Sequence, residues 1–232
     1  MNKLIEINNL QKSYGMFPVI NDLSISFESG RIVGIIGPNG CGKTTLFKIL
    51  SGLISDYQGS VIIDGQEPGV HSKSIVSYLP EKTYLSDRIR ARDALSMFGD
   101  FYVDFNRAKA EELMHRFKLT PEMKLKEMSK GMQEKLQLIL VMSRSAKIYI
   151  LDEPLSGIDP ATRDSILDVI LKNYSEGSTV MLSTHLLYDV ERIFDDVILM
   201  GFGQIIESGN ADAIRERTGL SIDGYFREVF KC

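Results

Sequence analysis

Gly37-Pro38-Asn39-Gly40-Cys41-Gly42-Lys43-Thr44 follows the apolar run Arg31-Ile32-Val33-Gly34-Ile35-Ile36 and leads into Thr44 to Leu50. The run reads as a buried strand and the segment after it as a helix. The stretch between them matches G-x-x-x-x-G-K-[ST] at every fixed position, in the strand–loop–helix setting that gives the motif its meaning. Glycines let successive backbone N–H groups turn inward around phosphate oxygens. The helix N-terminus adds the positive end of its dipole. Lys43 supplies a cation to the β- and γ-phosphates, and the Thr44 hydroxyl is placed to ligate Mg²⁺. A glycine turn alone could be a tight connection that binds nothing. With Lys43 and Thr44 after a buried strand, the stretch predicts ATP binding. Cys41 stands at a variable position of the loop. It reads as a small spacer, because no base partner for a catalytic thiol can be named.

Outward from the loop, Leu4 to Phe27 reads as short strands broken by a turn at Tyr14-Gly15. Asp22 to Phe27 alternates polar and apolar residues, the mark of a half-buried strand. Ser60 to Gly65 is a further strand ending in a turn. From Arg88 to Ser145 the pattern turns helical, with Ala110, Leu113, Met114 and Phe117 on one stripe. Lys147 to Leu151 and Ser178 to Ser183 read as strands, and Thr162 to Asn173 as a helix between them. Asp196 to Met200 and Gly203 to Glu207 flank a glycine turn as a hairpin. Strands alternating with helices predict an α/β fold with a parallel sheet, and the helical middle reads as an insertion into it. There is no internal repeat, low-complexity tract or flexible linker.

The bulk numbers narrow the classes. A chain of 232 residues with 44% hydrophobic residues can bury one sizeable core. Its net charge of -4, with no long run of one sign, gives no sign of the basic face of a nucleic-acid binder. Two cysteines, Cys41 in the loop and Cys232 at the end, make no disulfide framework and suggest a reducing cytosol. Met1 to Glu6 lacks a signal-peptide layout. The longest apolar stretch, Leu138 to Met142, is too short to span a bilayer. The expectation is a soluble chain that reaches a membrane only through a partner.

Ile148-Tyr149-Ile150-Leu151 ends in Asp152-Glu153. Acids at the C-terminal end of such a strand face the ligand crevice of an open α/β sheet. Asp152 would hold Mg²⁺ and Glu153 would polarise the attacking water. Four further stretches fall in order around this pair: Lys12-Ser13-Tyr14-Gly15, Met128-Ser129-Lys130-Gly131-Met132-Gln133, Leu155-Ser156-Gly157-Ile158-Asp159-Pro160 and Ser183-Thr184-His185. Singly each has a plain reading. Tyr14 could be a strand aromatic and His185 a core histidine. Ser129 could be the N-cap of a helix from Met132 to Arg144. As an ordered set covering nearly the whole chain, they resemble the ATP-binding cassette (ABC) ATPases.

That resemblance implies a P-loop ABC fold, with a mixed parallel core sheet, an N-terminal antiparallel β-subdomain and an inserted α-helical subdomain. It divides a single domain, 1–232, into a core of 1–87 and 146–232 and a helical part of 88–145. It implies that Tyr14 stacks on adenine and that Gly37, Pro38, Asn39, Gly40, Cys41, Gly42, Lys43, Thr44 and Thr45 wrap the nucleotide. Lys43, Glu153 and His185 are then the catalytic set, with Thr44, Asp152 and Glu81 on Mg²⁺. Ser129, Gly131 and Asp159 would serve the nucleotide across a dimer of two ATPase subunits. Two positions depart from the family pattern. Lys130-Gly131-Met132 replaces two glycines and Gln, a form resembling the branch that serves ABC-2-type exporters. Glu81, after Val76-Ser77-Tyr78-Leu79-Pro80, stands where the family has Gln.

The implied function is the ATP-hydrolysing subunit of an exporter, cytoplasmic and peripheral on the inner face of the cell membrane, working with an integral membrane permease and no nucleic acid. The alternative is a soluble ATPase of the same superfamily acting on nucleic acid or ribosomes. Chromosome and repair types separate loop and signature by a long coiled coil, whereas only Gly42 to Ser129 lies between them here. A non-hydrolysing regulator would lack a catalytic residue, and none is missing. Ile222, Tyr225, Phe226, Val229 and Phe230 form one face of a C-terminal helix. That face is expected to pack on the domain's own core, since the polar face has no Lys/Arg cluster.

Overall fold

The structure, a computed structural model, describes residues 3–231. Met1, Asn2 and Cys232, read above for the N-terminal layout and the cysteine count, lie outside the described residues. β1 (Lys3–Tyr14) and β2 (Phe17–Glu28) form an antiparallel hairpin closed by the turn at Gly15. Where the sequence reads as several short strands, there are two strands of 12 residues each. Asn9 and Asp22 adopt positive φ at opposed irregularities, and the Asn9 side chain donates to Asp22 at 2.8 Å. Such bulges break the alternation without ending the pairing.

The chain then forms β3 (Ile32–Ile36), α1 (Lys43–Leu50), β4 (Gln58–Ile63), α2 (Val70–Ile75) and β5 (Val76–Leu79). The helical middle contains α3 (Ala91–Phe101), α4 (Arg107–Arg116) and α5 (Lys130–Met142). β6 (Ile148–Asp152), α6 (Pro160–Asn173), β7 (Thr179–Ser183), α7 (Leu187–Val190), β8 (Asp196–Gly201) and β9 (Gln204–Asn210) follow. α8 (Ala211–Thr218) and α9 (Ile222–Phe230) complete the described chain.

Among the described residues the strands build two sheets. The three-stranded sheet has the order β2-β1-β4 and is antiparallel. The six-stranded sheet has the order β5-β6-β7-β3-β8-β9, parallel except for β9. Both faces of the large sheet are buried, and the period of two sorts its residues. Ile35, Ile150, Met181 and Ile198 face the small sheet and α1. Ile36, Leu151, Leu182 and Leu199 face the helices. The predicted stripe of α4 holds: Ala110, Leu113 and Met114 are buried and Phe117 packs beside them. Tyr225, Phe226, Val229 and Phe230 of α9 also pack on this core, as the sequence predicts.

This topology positions the site. β5, β6, β7 and β3 are consecutive neighbours and run the same way. Glu81, Asp152-Glu153, His185 and the glycine loop follow their C-terminal ends, so all four converge on one end of the sheet.

Candidate active site

A cleft of about 500 Å³ opens at that end of the sheet. Its walls include Tyr14, Asn39, Gly40, Gly42, Lys43, Thr44, Thr45, Glu81, Glu153 and His185. Sequence reading missed two further wall residues, Val19 and Ser156. Ser156 lies in the Leu155–Pro160 stretch quoted above but has no role of its own there, and Val19 is an ordinary strand residue that only the fold brings here.

The loop owes its shape to close packing. Gly42 caps α1 at φ 107°, and a Cβ there would lie 2.8 Å from the Val19 carbonyl oxygen. No side chain caps α1, so its first N–H groups point at the cleft as an anion site. A Cβ on Gly37 would lie 2.3 Å from the Met200 carbonyl oxygen and 2.5 Å from Cys41 Sγ. Gly37→Ala is therefore expected to cost about 1–3 kcal/mol of stability. Thermal unfolding should show this as a melting temperature lower by roughly 2–12 °C. An unchanged melting temperature would mean that the loop relaxes freely away from β8.

Lys43 is buried, and its Nζ donates to the carbonyl oxygens of Gly37 at 2.7 Å and Pro38 at 3.2 Å. The cation is thus tied across the loop it serves. Cys41 is buried in the core against the small sheet. Burial pushes its thiol up, and the neighbouring Lys43 charge only partly offsets this. A protonated, buried thiol is a poor nucleophile, in line with the spacer reading.

Asp152 ends β6 in register with Ser183 of β7, and Ser183 Oγ donates to Asp152 Oδ1 at 2.6 Å. Ser183 Oγ also accepts the Glu153 backbone N–H at 3.0 Å. Ser183 is therefore the joint between both acids. The sequence placed it beside His185 without giving it this role, because the pairing needs the register of two strands 31 residues apart. Asp152 Oδ2 is buried with no hydrogen-bond partner among the described residues. Burial raises the Asp152 carboxyl, the Ser183 and Thr44 hydroxyls oppose this, Glu81 adds to it and the Lys43 charge opposes it. An orphaned buried carboxylate oxygen beside a threonine hydroxyl suits a hard cation that takes its remaining ligands from phosphate and water.

Glu153 sits at φ 52°, in the left-handed region that a non-glycine residue adopts only where its surroundings hold it. The Glu153 N–H also donates to the Ser183 carbonyl at 3.1 Å, which fixes the turn. Glu153 Oε2 pairs with His185 Nδ1 at 2.7 Å and accepts the His185 backbone N–H at 3.3 Å. Carboxylate and imidazole thus line the same cleft as Lys43 and Thr44. The group can accept a proton from a water molecule lying between it and a phosphate held by the loop.

Ser129, Gly131 and Asp159 do not line this cleft. Ser129 caps α5, its Oγ accepting the Met132 N–H at 3.3 Å. α5 begins at Lys130, two residues before the Met132 start read from sequence. Beside the exposed Ser129, a Cβ on Gly131 would meet nothing within 4 Å. Asp159 caps α6, its carboxylate accepting the Thr162 N–H at 3.1 Å. Hydrogen bonding with Thr162 holds the Asp159 carboxyl below the usual range.

Residues 20–156 match the ABC transporter family. The chain belongs to that family. It is 33% identical over 219 residues to an uncharacterized ABC transporter ATP-binding protein of Methanocaldococcus jannaschii, covering 92% of this chain and 80% of that one. It is 31% identical over 205 residues to the lantibiotic transport ATP-binding protein SrtF of Streptococcus pyogenes, covering 88% and 89%. A solved structure described as the ATP binding subunit of an ABC transporter superposes with a TM-score of 0.87 at 27% identity, over 98% of this chain and 99% of that one. The fold predicted above is therefore an ABC ATPase fold, and the chain is an ATP-binding ABC subunit whose ATPase powers transport. The relatives favour transport over the nucleic-acid alternative.

Proposed function

We propose that this ABC subunit works in an exporter, closing on ATP as one of two ATPase subunits and passing that closure to a separate permease. The observation that carries the reading is the division of the motifs. Lys43, Thr44, Glu153 and His185 share one cleft, while Ser129 and Gly131 stand open elsewhere. One chain then offers half a site to its own nucleotide and the complementary half to a neighbour's. Ser129 and the N–H groups at the start of α5 form an anion-binding end for the γ-phosphate of the second subunit's ATP. Asp159, at the head of α6, serves the same junction.

Asp152 Oδ2, the Thr44 hydroxyl and Glu81 would hold Mg²⁺, which neutralises phosphate charge during transfer. Tyr14, half exposed in the cleft wall, offers its ring to the adenine. Glu153 orients the attacking water and takes its proton, while His185 keeps the carboxylate aimed and follows the γ-phosphate. The core of 1–87 and 146–232 binds the nucleotide, and 88–145 forms the arm that carries Ser129.

Beside Glu81 lies a second, apolar groove of about 660 Å³. Leu53, Tyr84 and Phe101 line it with more than half of each residue exposed. Lys48, Lys73 and Lys82 also line it. A groove lined by Pro80 and Lys82, the chain neighbours of Glu81, and by Met97, Phe98 and Phe101 of α3 is where a permease segment would feel ATP-driven movement of the arm. No helix among the described residues is long and apolar enough to cross a membrane. The permease would therefore hold the subunit on the inner face of the membrane.

Two measurements test this reading. ATP turnover per subunit should rise with protein concentration in the dilute range, because each site needs a neighbour. A constant specific rate from monomer upward would sink the dimer. Replacing Tyr84 and Phe101 together with Asp should free the subunit from membranes containing its permease and leave turnover in solution unchanged. Retention on those membranes would move the docking site elsewhere.

A further inference from the structure

Arg163 lies in the first turn of α6, four residues after the cap Asp159. A cation there opposes the helix dipole, so it adds nothing to α6 by its position. α6 is already held by Ile166, Leu167, Val169 and Ile170, all buried in the core. The guanidinium instead bridges α7 and the turn that precedes α6. Its Nη1 meets Asp189 Oδ2 of α7 at 2.7 Å, and its Nε donates to the Ile158 carbonyl at 3.4 Å. Both ion-pair partners are largely sheltered, at 24% and 30% exposed. The neighbouring pair Arg192–Asp164 is longer, at 3.8 Å, and exposed at both ends, so it contributes little.

The two bridged segments are the ones that must act together. Ile158 precedes Asp159, the residue assigned above to the subunit junction. Asp189 lies in α7, four residues after His185, the partner of Glu153. The turn at Ile158 touches α5 on its other side: a Cβ on Gly157 would meet Lys130 Nζ at 2.9 Å and Glu134 Oε1 at 3.0 Å. Side chains of α5 thus lie against residues 157–159, Arg163 ties that turn to Asp189, and the Asp189 N–H donates at 3.3 Å to the carbonyl of Leu186, the chain neighbour of His185, which meets Glu153. The geometry points to Arg163 as a positioning residue that couples closure at the subunit junction to the aim of the Glu153–His185 pair. The inference rests on the ATPase-dimer reading. It adds that the two sites of the dimer sense each other through a single ion pair in each subunit. Rigid, paired contacts of this kind carry coupling when the elements they join move as a unit.

The test uses the full-length protein and steady-state ATP turnover across a range of ATP concentrations. Arg163→Met is expected to lower kcat about ten- to a hundredfold, as loss of positioning does. ATP affinity should stay at the parent value, and the Hill coefficient should fall toward unity. The exchange of Arg163→Asp with Asp189→Arg should recover both kcat and the Hill coefficient. If the exchanged pair fails to fold, Arg163→Lys replaces it as the test. Lysine keeps the ion pair but loses the second donor to Ile158, so both readouts should fall between parent and Arg163→Met. A folded Arg163→Met protein with parental kcat and Hill coefficient overturns the inference. So does an equal loss of kcat and ATP affinity that neither Lys nor the exchange relieves, since that marks a structural role. Absence of turnover in the parent protein would overturn the ATPase reading itself, and this inference with it.

Discussion

Glu153→Gln is expected to lower ATP turnover by about 10²–10⁴-fold, the contribution of a well-placed general base. Nucleotide affinity should stay near the parent value. Glutamine has the shape of glutamate and can still meet His185 Nδ1, which now lies 2.7 Å from Glu153 Oε2. What it cannot do is take a proton from water. The turn at Glu153 should survive, because it is held by the Glu153 N–H on Ser183 rather than by the carboxylate. Phosphate release measured beside calorimetric ATP binding separates the two effects. Size-exclusion chromatography adds a third readout, since a protein that closes on ATP and cannot hydrolyse it should remain dimeric. Equal turnover in parent and variant would remove Glu153 from the reaction.

Lys43→Ala should act on binding first. Hydrogen bonds to a charged group contribute about 1.5–3 kcal/mol each. Loss of the cation from the β- and γ-phosphates should then weaken ATP binding roughly 10–100-fold. AMP is the control, because it has neither of those phosphates. An ATP-specific loss supports the lysine's direct role. An equal loss for AMP would instead mean that the loop collapses without the bonds from Nζ to Gly37 and Pro38. Unchanged ATP affinity would show that Lys43 stays turned onto those carbonyls when nucleotide binds.

Much of the fold can be read from residues with strong local signals. The glycine loop, the alternation through Asp22 to Phe27, the α4 stripe and the late hairpin all match elements of the structure. Their patterns are dictated by burial on one face or by glycine geometry. Less legible are α2 and α7, of six and four residues, which are too short to show a helical period. β5 is in the same position: its four residues are too few to show a period of their own.

The site divides in the same way. Lys43, Thr44, Asp152, Glu153 and His185 announce themselves because phosphate chemistry needs their functional groups at set spacings. Ser183 and Arg163 do not, because serine and arginine are ordinary residues until strand order and register bring partners to them. Ser183 needs β6 and β7 side by side. Arg163 needs α7 folded back onto α6, across 26 residues of chain. The Glu153–His185 pair is intermediate. Both residues carry family signals, but their direct contact depends on the left-handed turn at Glu153.

The open position of Ser129 and Gly131, away from the cleft that holds Lys43, has a genetic consequence. In a dimer of identical chains, a subunit damaged at Lys43 and one damaged at Ser129 are each useless with their own kind. Paired together, they place both defects in one composite site and leave the other composite site intact. Two null alleles of a single gene would then restore function to each other in a cell that expresses both.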